Sequence, residues 1–368
     1  MRWNNSIWIG TVLLRSYLYK YINLYVYIYK KISMRILLSL FILVVLYRNA
    51  EALFNEWTCI GIKSKINLSK PYSINIGELP LVVWKDKYTG EIISRINICK
   101  HMGSRLDTGK VTLDGCLKCP YHGLEHSRED SFGKVIEHEG KIFWAHKPVH
   151  PRPYSVPFYK NPNFVHSFIQ VDMDCSLIDS ALNTMDLRHP EYVHGGIFGF
   201  GNNVPPKNIA QIKYSPQRVG LTFDYASKLS ISKLNQDTTH TKNFHMYLYP
   251  TFSWSKVTFN RDNHLIIGVN LQPLAPKKTR WYITVCNNYM TNPIQAQFVN
   301  MLASTILGQD YVQMRKQYPD NELKRAILFE HVFPNEEAVI WVKDMLRDYK
   351  YPDFKVCVDL YESNKNIQ

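Results

Sequence analysis

The stretch Cys99-Lys100-His101-Met102-Gly103 is followed, with seventeen residues between His101 and Cys119, by Cys119-Pro120-Tyr121-His122-Gly123. Two Cys/His pairs of this kind make a four-ligand metal site. Zinc accepts such a donor set tetrahedrally, but the zinc-finger arrangement keeps its Cys pair apart from its His pair. Here each pair mixes the two. Thiolates on one iron and imidazoles on the other suit a [2Fe–2S] cluster, whose potential lies above that of an all-cysteine cluster. Gly103 and Gly123 fit tight loops in which backbone amides approach the sulfurs.

Around this pattern the chain reads as short β-like runs divided by turn signals: Leu81 to Trp84, Tyr88-Thr89-Gly90, Ile92 to Ile98 and Lys141 to Ala145. They predict a small all-β domain over residues 55–150. Prolines at 148, 151 and 153 remove amide donors and fix φ, so the boundary falls there. Beyond it, Phe164 to Val171 alternates like a strand, and Ser180 to His194 reads as helical as far as Pro190. Phe244 to Asn287 carries strand-like runs with a turn at Pro276-Lys277-Lys278. Asn292 to Gln317 and Glu336 to Tyr349 read as helices. The fold class is therefore α+β, with a second domain over residues 151–368.

The formal net charge is +13, from 44 Lys and Arg against 31 Asp and Glu. The first fifty residues hold seven of those cations and no acid, so the excess is largely theirs and no nucleic-acid partner is expected. From Ile7 to Tyr47 the chain is dominated by Ile, Leu, Val and Tyr, and its cleanest apolar run, Ile36 to Tyr47, is too short to span a bilayer unaided. Residues 1–54 thus read as a leader. It is a membrane anchor with Lys30, Lys31 and Arg35 on the cytoplasmic side, a cleaved leader ending near Ala50, or a basic organelle transit sequence. Seven irregularly spaced cysteines make no disulfide framework and point to a reducing compartment for the remainder.

The mixed C-x-H and C-P-Y-H-G pairs resemble the Rieske family. Cytochrome-type members carry two extra cysteines that cross-link the cluster loops, one of them inside the second pair. That position holds Pro120 and Tyr121, and Cys116 has no evident mate, so the segment is similar to oxygenase-type Rieske domains. Downstream, Asn183-Thr184-Met185-Asp186-Leu187-Arg188-His189-Pro190-Glu191-Tyr192-Val193-His194 is similar to the N-x-x-D-x-x-H-x-x-x-x-H motif of their catalytic domains. Helix residues five apart lie about 140° from each other, so His189 and His194 share a metal only if the helix breaks between them, where Pro190 stands.

The resemblance implies a helix-grip catalytic domain, a [2Fe–2S] cluster on Cys99, His101, Cys119 and His122, and a mononuclear Fe(II) on His189 and His194. It also implies a carboxylate ligand from a distant helix. Asp310 is the candidate, ahead of Asp320, Glu322 and Glu330, because it lies within a helical pattern where a buried acid is otherwise costly. Asp186 corresponds to the residue that links a neighbour's cluster to the iron, which implies a homotrimer. No G-x-G-x-x-G fingerprint or plant-type ferredoxin cysteine run is present, so a ferredoxin or flavin reductase is expected as electron donor. The expected reaction uses O2 to hydroxylate, dealkylate or desaturate a hydrophobic ring substrate. The competing reading is a membrane-tethered Rieske electron carrier that needs no second metal.

Overall fold

Residues 79–85, Leu-Pro-Leu-Val-Val-Trp-Lys, form a strand whose two faces are both covered, which explains why they read as a continuous apolar run. The computed structural model describes residues 53–194, 206–226, 240–259, 262–318 and 321–365. The basic, apolar leader predicted over residues 1–54 lies almost wholly outside them, as does Asp320.

The first part of the described chain is all β. Strand β1 (Thr58–Ile62) pairs with β9 (Lys141–Ala145), and β9 with β8 (Lys134–His138). A second sheet orders β2 (Tyr72–Ile76), β3 (Leu79–Lys85) and β4 (Ile92–Ile96). A third is built from the two-residue strands β5 (Lys110–Val111), β6 (Leu117–Lys118) and β7 (Glu125–His126). On one face of β3, Leu81 and Val83 join Ile74, Ile76, Ile142 and Trp144 in the main core. On the other, Val82 and Trp84 pack with Ile93, Leu106 and Leu117 beneath Cys99 and Cys119. The two Cys/His loops therefore stand on a small apolar base of their own.

The second part is a seven-stranded antiparallel sheet in the order β10 (Val165–Met173), β16 (Lys278–Asn287), β15 (His264–Ala275), β14 (Phe252–Thr258), β13 (His240–Leu248), β12 (Arg218–Ala226) and β11 (Lys207–Ser215). The predicted turn at Pro276-Lys277-Lys278 joins β15 to β16. Among the described residues six α-helices accompany it: α1 (Leu177–Met185), α2 (His189–Val193), α3 (Pro293–Met314), α4 (Glu322–Ile327), α5 (Glu337–Met345) and α6 (Phe354–Lys365). Helix α1 is opened by Ser176, whose hydroxyl accepts from the Asp179 amide at 3.1 Å, and α3 by Asn292 in the same manner. Met185, Ala181 and Ile178 of α1 are buried on the sheet against Leu271, Trp281 and Ile283.

Two sequence expectations need correction. The helix expected from Ser180 toward Pro190 ends at Met185, and the chain turns before a second, five-residue helix begins at His189. Pro190 sits in the first turn of α2, where a missing amide costs nothing, so it starts a helix rather than breaking one. Residues 354–365, counted in sequence with the second domain, cover the first: Cys357 and Leu360 of α6 belong to the same buried cluster as Phe54, Leu81 and Trp144. Lys141 ties the two parts further. It is fully buried, and its Nζ donates to Asn270 Oδ1 of β15 at 3.0 Å and Thr284 Oγ1 of β16 at 2.7 Å.

Candidate metal centres

The two Cys/His loops are built alike. In each, the cysteine amide donates to the carbonyl five residues on, Cys99 to Ser104 and Cys119 to Leu124, both at 2.8 Å. In each, the glycine amide returns to the cysteine carbonyl, Gly103 to Cys99 at 3.0 Å and Gly123 to Cys119 at 3.1 Å. Closing the turn requires a left-handed residue, and both glycines have φ of 73°. The duplication brings the four side chains together: Cys99 and Cys119 are buried, while the His101 and His122 rings lie exposed with centroids 4.8 Å apart. Burial works against a Cys119 thiolate, but the Tyr121 amide, Cys99 and the His122 amide outweigh it and hold the pKa below its ordinary value. Paired thiols beneath paired imidazoles, with amides aimed at sulfur, fit a [2Fe–2S] cluster.

Behind these loops Asp130 gathers charge. It pairs with Lys100, between two of the predicted ligands, and with buried Arg95 at 3.4 Å, and lies 3.6 Å from His126, whose pKa burial lowers. These residues were not singled out in the sequence, because nothing local marks Asp130 as reaching back to a loop thirty residues earlier.

In the second part, the turn between α1 and α2 sets the site. Asp186 Oδ1 accepts from the amides of Arg188 at 2.8 Å and His189 at 3.3 Å, and so opens α2. The Asp186 carbonyl meets His189 Nδ1 at 2.8 Å, and Gln309 Oε1 of α3 meets His194 Nδ1 at 2.9 Å. Both acceptors call for an N–H at Nδ1, so in the neutral rings Nε2 is the nitrogen open to a metal. Both Nε2 atoms point to one carboxylate: Asp310 Oδ1 is 3.6 Å from His189 Nε2 and 3.2 Å from His194 Nε2. Ligand atoms of all three residues lie within 4.8 Å of one another. Two imidazoles of fixed tautomer and a buried carboxylate suit a mononuclear iron with open positions. Glu322 and Glu330 are exposed and take no part. Desolvation lowers the His189 pKa, favouring the neutral ring a metal needs.

Beside this triad lies a cavity of about 220 Å³, bounded by α3 and the sheet. That is a small ligand cavity, below the roughly 300–1,000 Å³ of drug-sized sites. Leu265, Ile267, Val269, Ile283 and Val285 make its wall apolar. His189, His194 and Asp310 all reach it. His245, also on the wall, has its pKa pushed down to about 3 by burial, with His189 adding repulsion.

A β domain bearing two matched Cys/His loops, joined to a grip-like sheet and helices around a His–His–Asp triad, defines a two-centre redox protein. The first centre has a family: residues 56–143 match the Rieske [2Fe-2S] domain, and the chain is similar to oxygenase components that carry such a domain. That match implies a Rieske [2Fe-2S] cluster at the first centre. The oxygenase component of dicamba O-demethylase from Stenotrophomonas maltophilia is 26% identical, across 38% of this chain and 47% of that protein. Chloroplastic chlorophyllide a oxygenase from Arabidopsis thaliana is 25% identical, across 53% of this chain and 42% of that protein. The match thus spans about half or less of these relatives' length. The solved structure of NdmA from Pseudomonas putida CBB5 superposes with a TM-score of 0.65 at 15% identity, covering 82% of this chain and 91% of that one, which establishes the shared fold.

Proposed function

We propose that this chain is a Rieske-type oxygenase that uses O2 and externally supplied electrons to oxidise a hydrophobic ring substrate. The observation that carries this reading is the convergence of His189, His194 and Asp310 at the edge of an apolar cavity. An electron carrier has no use for either. Oxygenase names among the relatives, including one acting on dicamba and one on chlorophyllide a, support the same class.

In this reading Cys99, His101, Cys119 and His122 hold the cluster, and His189, His194 and Asp310 hold the iron. When bound, the cluster supplies single electrons and the iron a centre for O2 activation. The chain's own work is positional. The Asp186 carbonyl and Gln309 fix the two imidazoles, the apolar wall excludes water, and exposed His101 and His122 present the cluster's edge to another protein. Asp186, with its side chain 37% exposed, is suited to bridge from His189 to His122 of a neighbouring copy, which makes a ring-shaped homotrimer the expected assembly. The electron donor is a separate ferredoxin or flavin reductase. The basic, acid-free leader supports membrane association, and chloroplastic relatives support organelle delivery. Among the described residues no helix is long and apolar enough to cross a membrane.

The test is iron and sulfide content with EPR of the dithionite-reduced full-length protein, beside His189→Ala. An oxygenase shows the Rieske signal in both and loses about one iron per chain in the variant. An unchanged iron content leaves an electron carrier, and a colourless zinc protein removes the cluster itself.

A further inference from the structure

The carboxylate of Asp130 is divided between two cations. Its Oδ2 faces Arg95 Nη1 at 3.4 Å, and its Oδ1 accepts from Lys100 Nζ. Arg95 lies on β4, four residues before Cys99, and is buried, so its charge needs a counterion. Lys100 stands between Cys99 and His101 with its side chain half in solvent. His126, 3.6 Å away, stays neutral because burial lowers its pKa, with Arg95 adding repulsion. Burial also works against the Asp130 anion, but Lys100 and Arg95 outweigh it and hold the carboxyl below its ordinary range. The backbone places this acid. Residues 128–130 form a tight turn, and the Phe132 amide just beyond donates to the Ser94 carbonyl of β4 at 2.7 Å. Two further cations that flank the loops in sequence are matched one to one, Arg105 with Asp107 and Lys118 with Glu125. Arg95, Lys100 and Asp130 are not: two cations against one anion leave a single positive charge.

We infer that Asp130 sets the potential of the cluster held by Cys99, His101, Cys119 and His122: its carboxylate offsets Arg95 and Lys100 and makes the reduced cluster a stronger electron donor than two bare cations would allow. This rests on the cluster reading of the paired loops and goes beyond it by giving a role to a residue outside both. Reduction adds one electron, so a nearby cation favours the reduced state and a nearby anion opposes it. For a surface acid the effect would be slight. The Asp130 side chain is 20% exposed and that of Arg95 6%, and charges so placed are screened less. One unit charge at side-chain range, with an effective dielectric between about 20 and 80, moves a one-electron equilibrium about 2- to 15-fold. Lys100, at 56% exposed, acts at the low end of that range.

The test is a potentiometric titration of the full-length protein followed by its Rieske EPR signal, with iron and sulfide counted in each sample. Wild type, Asp130→Asn, Lys100→Met and the double variant are compared. Asp130→Asn should raise the reduced-to-oxidised ratio at fixed potential about 2- to 15-fold, which is a midpoint about 20–70 mV higher at about 59 mV per tenfold. Lys100→Met should lower the midpoint by less, and the double variant should fall between the two. Opposite signs are the mark of charge. A purely structural anchor would lose cluster in both single variants without opposed shifts, and that result overturns the inference, as does an Asp130→Asn midpoint equal to wild type or below it. Should Asp130→Asn alone load no cluster, the double variant read against Lys100→Met measures the same removal and should lie higher. Failure to load in both backgrounds makes Asp130 a structural anchor and also overturns the inference. A wild-type protein without a Rieske signal would remove the cluster reading itself, whereas a signal at an unmoved potential removes this inference alone.

Discussion

At the scale of single residues, the proposed iron triad depends on neighbours that are not ligands. Gln309 precedes Asp310 on α3 and holds His194 by Nδ1. Gln309→Leu should weaken iron retention about 10- to 100-fold during dialysis against graded chelator, with the cluster's EPR signal unchanged. A different histidine sets a pH limit. His146 is 6% exposed, neither ring nitrogen has a partner, and burial aided by Lys147 pushes its pKa down to about 4. The unfolded chain binds a proton near pH 6.5, the folded chain not until far lower, so stability is intact above 6.5 and falls as pH drops toward 4. Urea unfolding at pH 7 and pH 5 should differ by about 1–2 kcal/mol from this group, and His146→Phe, which keeps the packing on Phe132, should remove that share. In sequence, Cys99, His101, Cys119 and His122 could be proposed together because each pair sits in one short loop. Gln309 was not, because its role arises only when α3 meets His194, an element distant in sequence.

Elements carry a second kind of information. Gly103 has open space around the point where a Cβ would stand, so a substitution there is opposed by backbone conformation alone. Cluster content, measured as iron and sulfide per chain, should therefore fall in the order Gly103, Asn, Ala, Val at this position, because Asn visits left-handed φ more readily than Ala, and a β-branched residue least of all. Repetition of the turn at Gly123 makes both loops follow one rule. Strand existence was readable from apolar runs and turn signals, and β9 coincides with the predicted Lys141 to Ala145. The division between α1 and α2 was not readable. Pro190 marks a discontinuity, but a proline at a first turn and one that stops a helix look identical without the Asp186 cap.

For the whole molecule, the two parts do not part cleanly at the predicted proline-rich boundary. Helix α6 closes the core of the cluster domain, and its arrival was illegible because an amphipathic helix does not name the surface it will cover. Leu360→Ala should cost about 2–5 kcal/mol. Urea unfolding followed by cluster bleaching should show the cluster domain weakened, although the substitution lies far outside residues 56–143. Bleaching at the wild-type midpoint would show that the domain does not need α6.

That same covering helix bears on synthesis. Phe54 and Trp144 leave the ribosome long before Cys357 and Leu360, so the cluster-binding half emerges with one side of its core bare. Until residues 354–365 follow, that surface is open to water and to chaperones. Closure of the core under the Cys99 and Cys119 loops then waits on residues 354–365, and a chain cut after residue 350 should leave that apolar surface exposed.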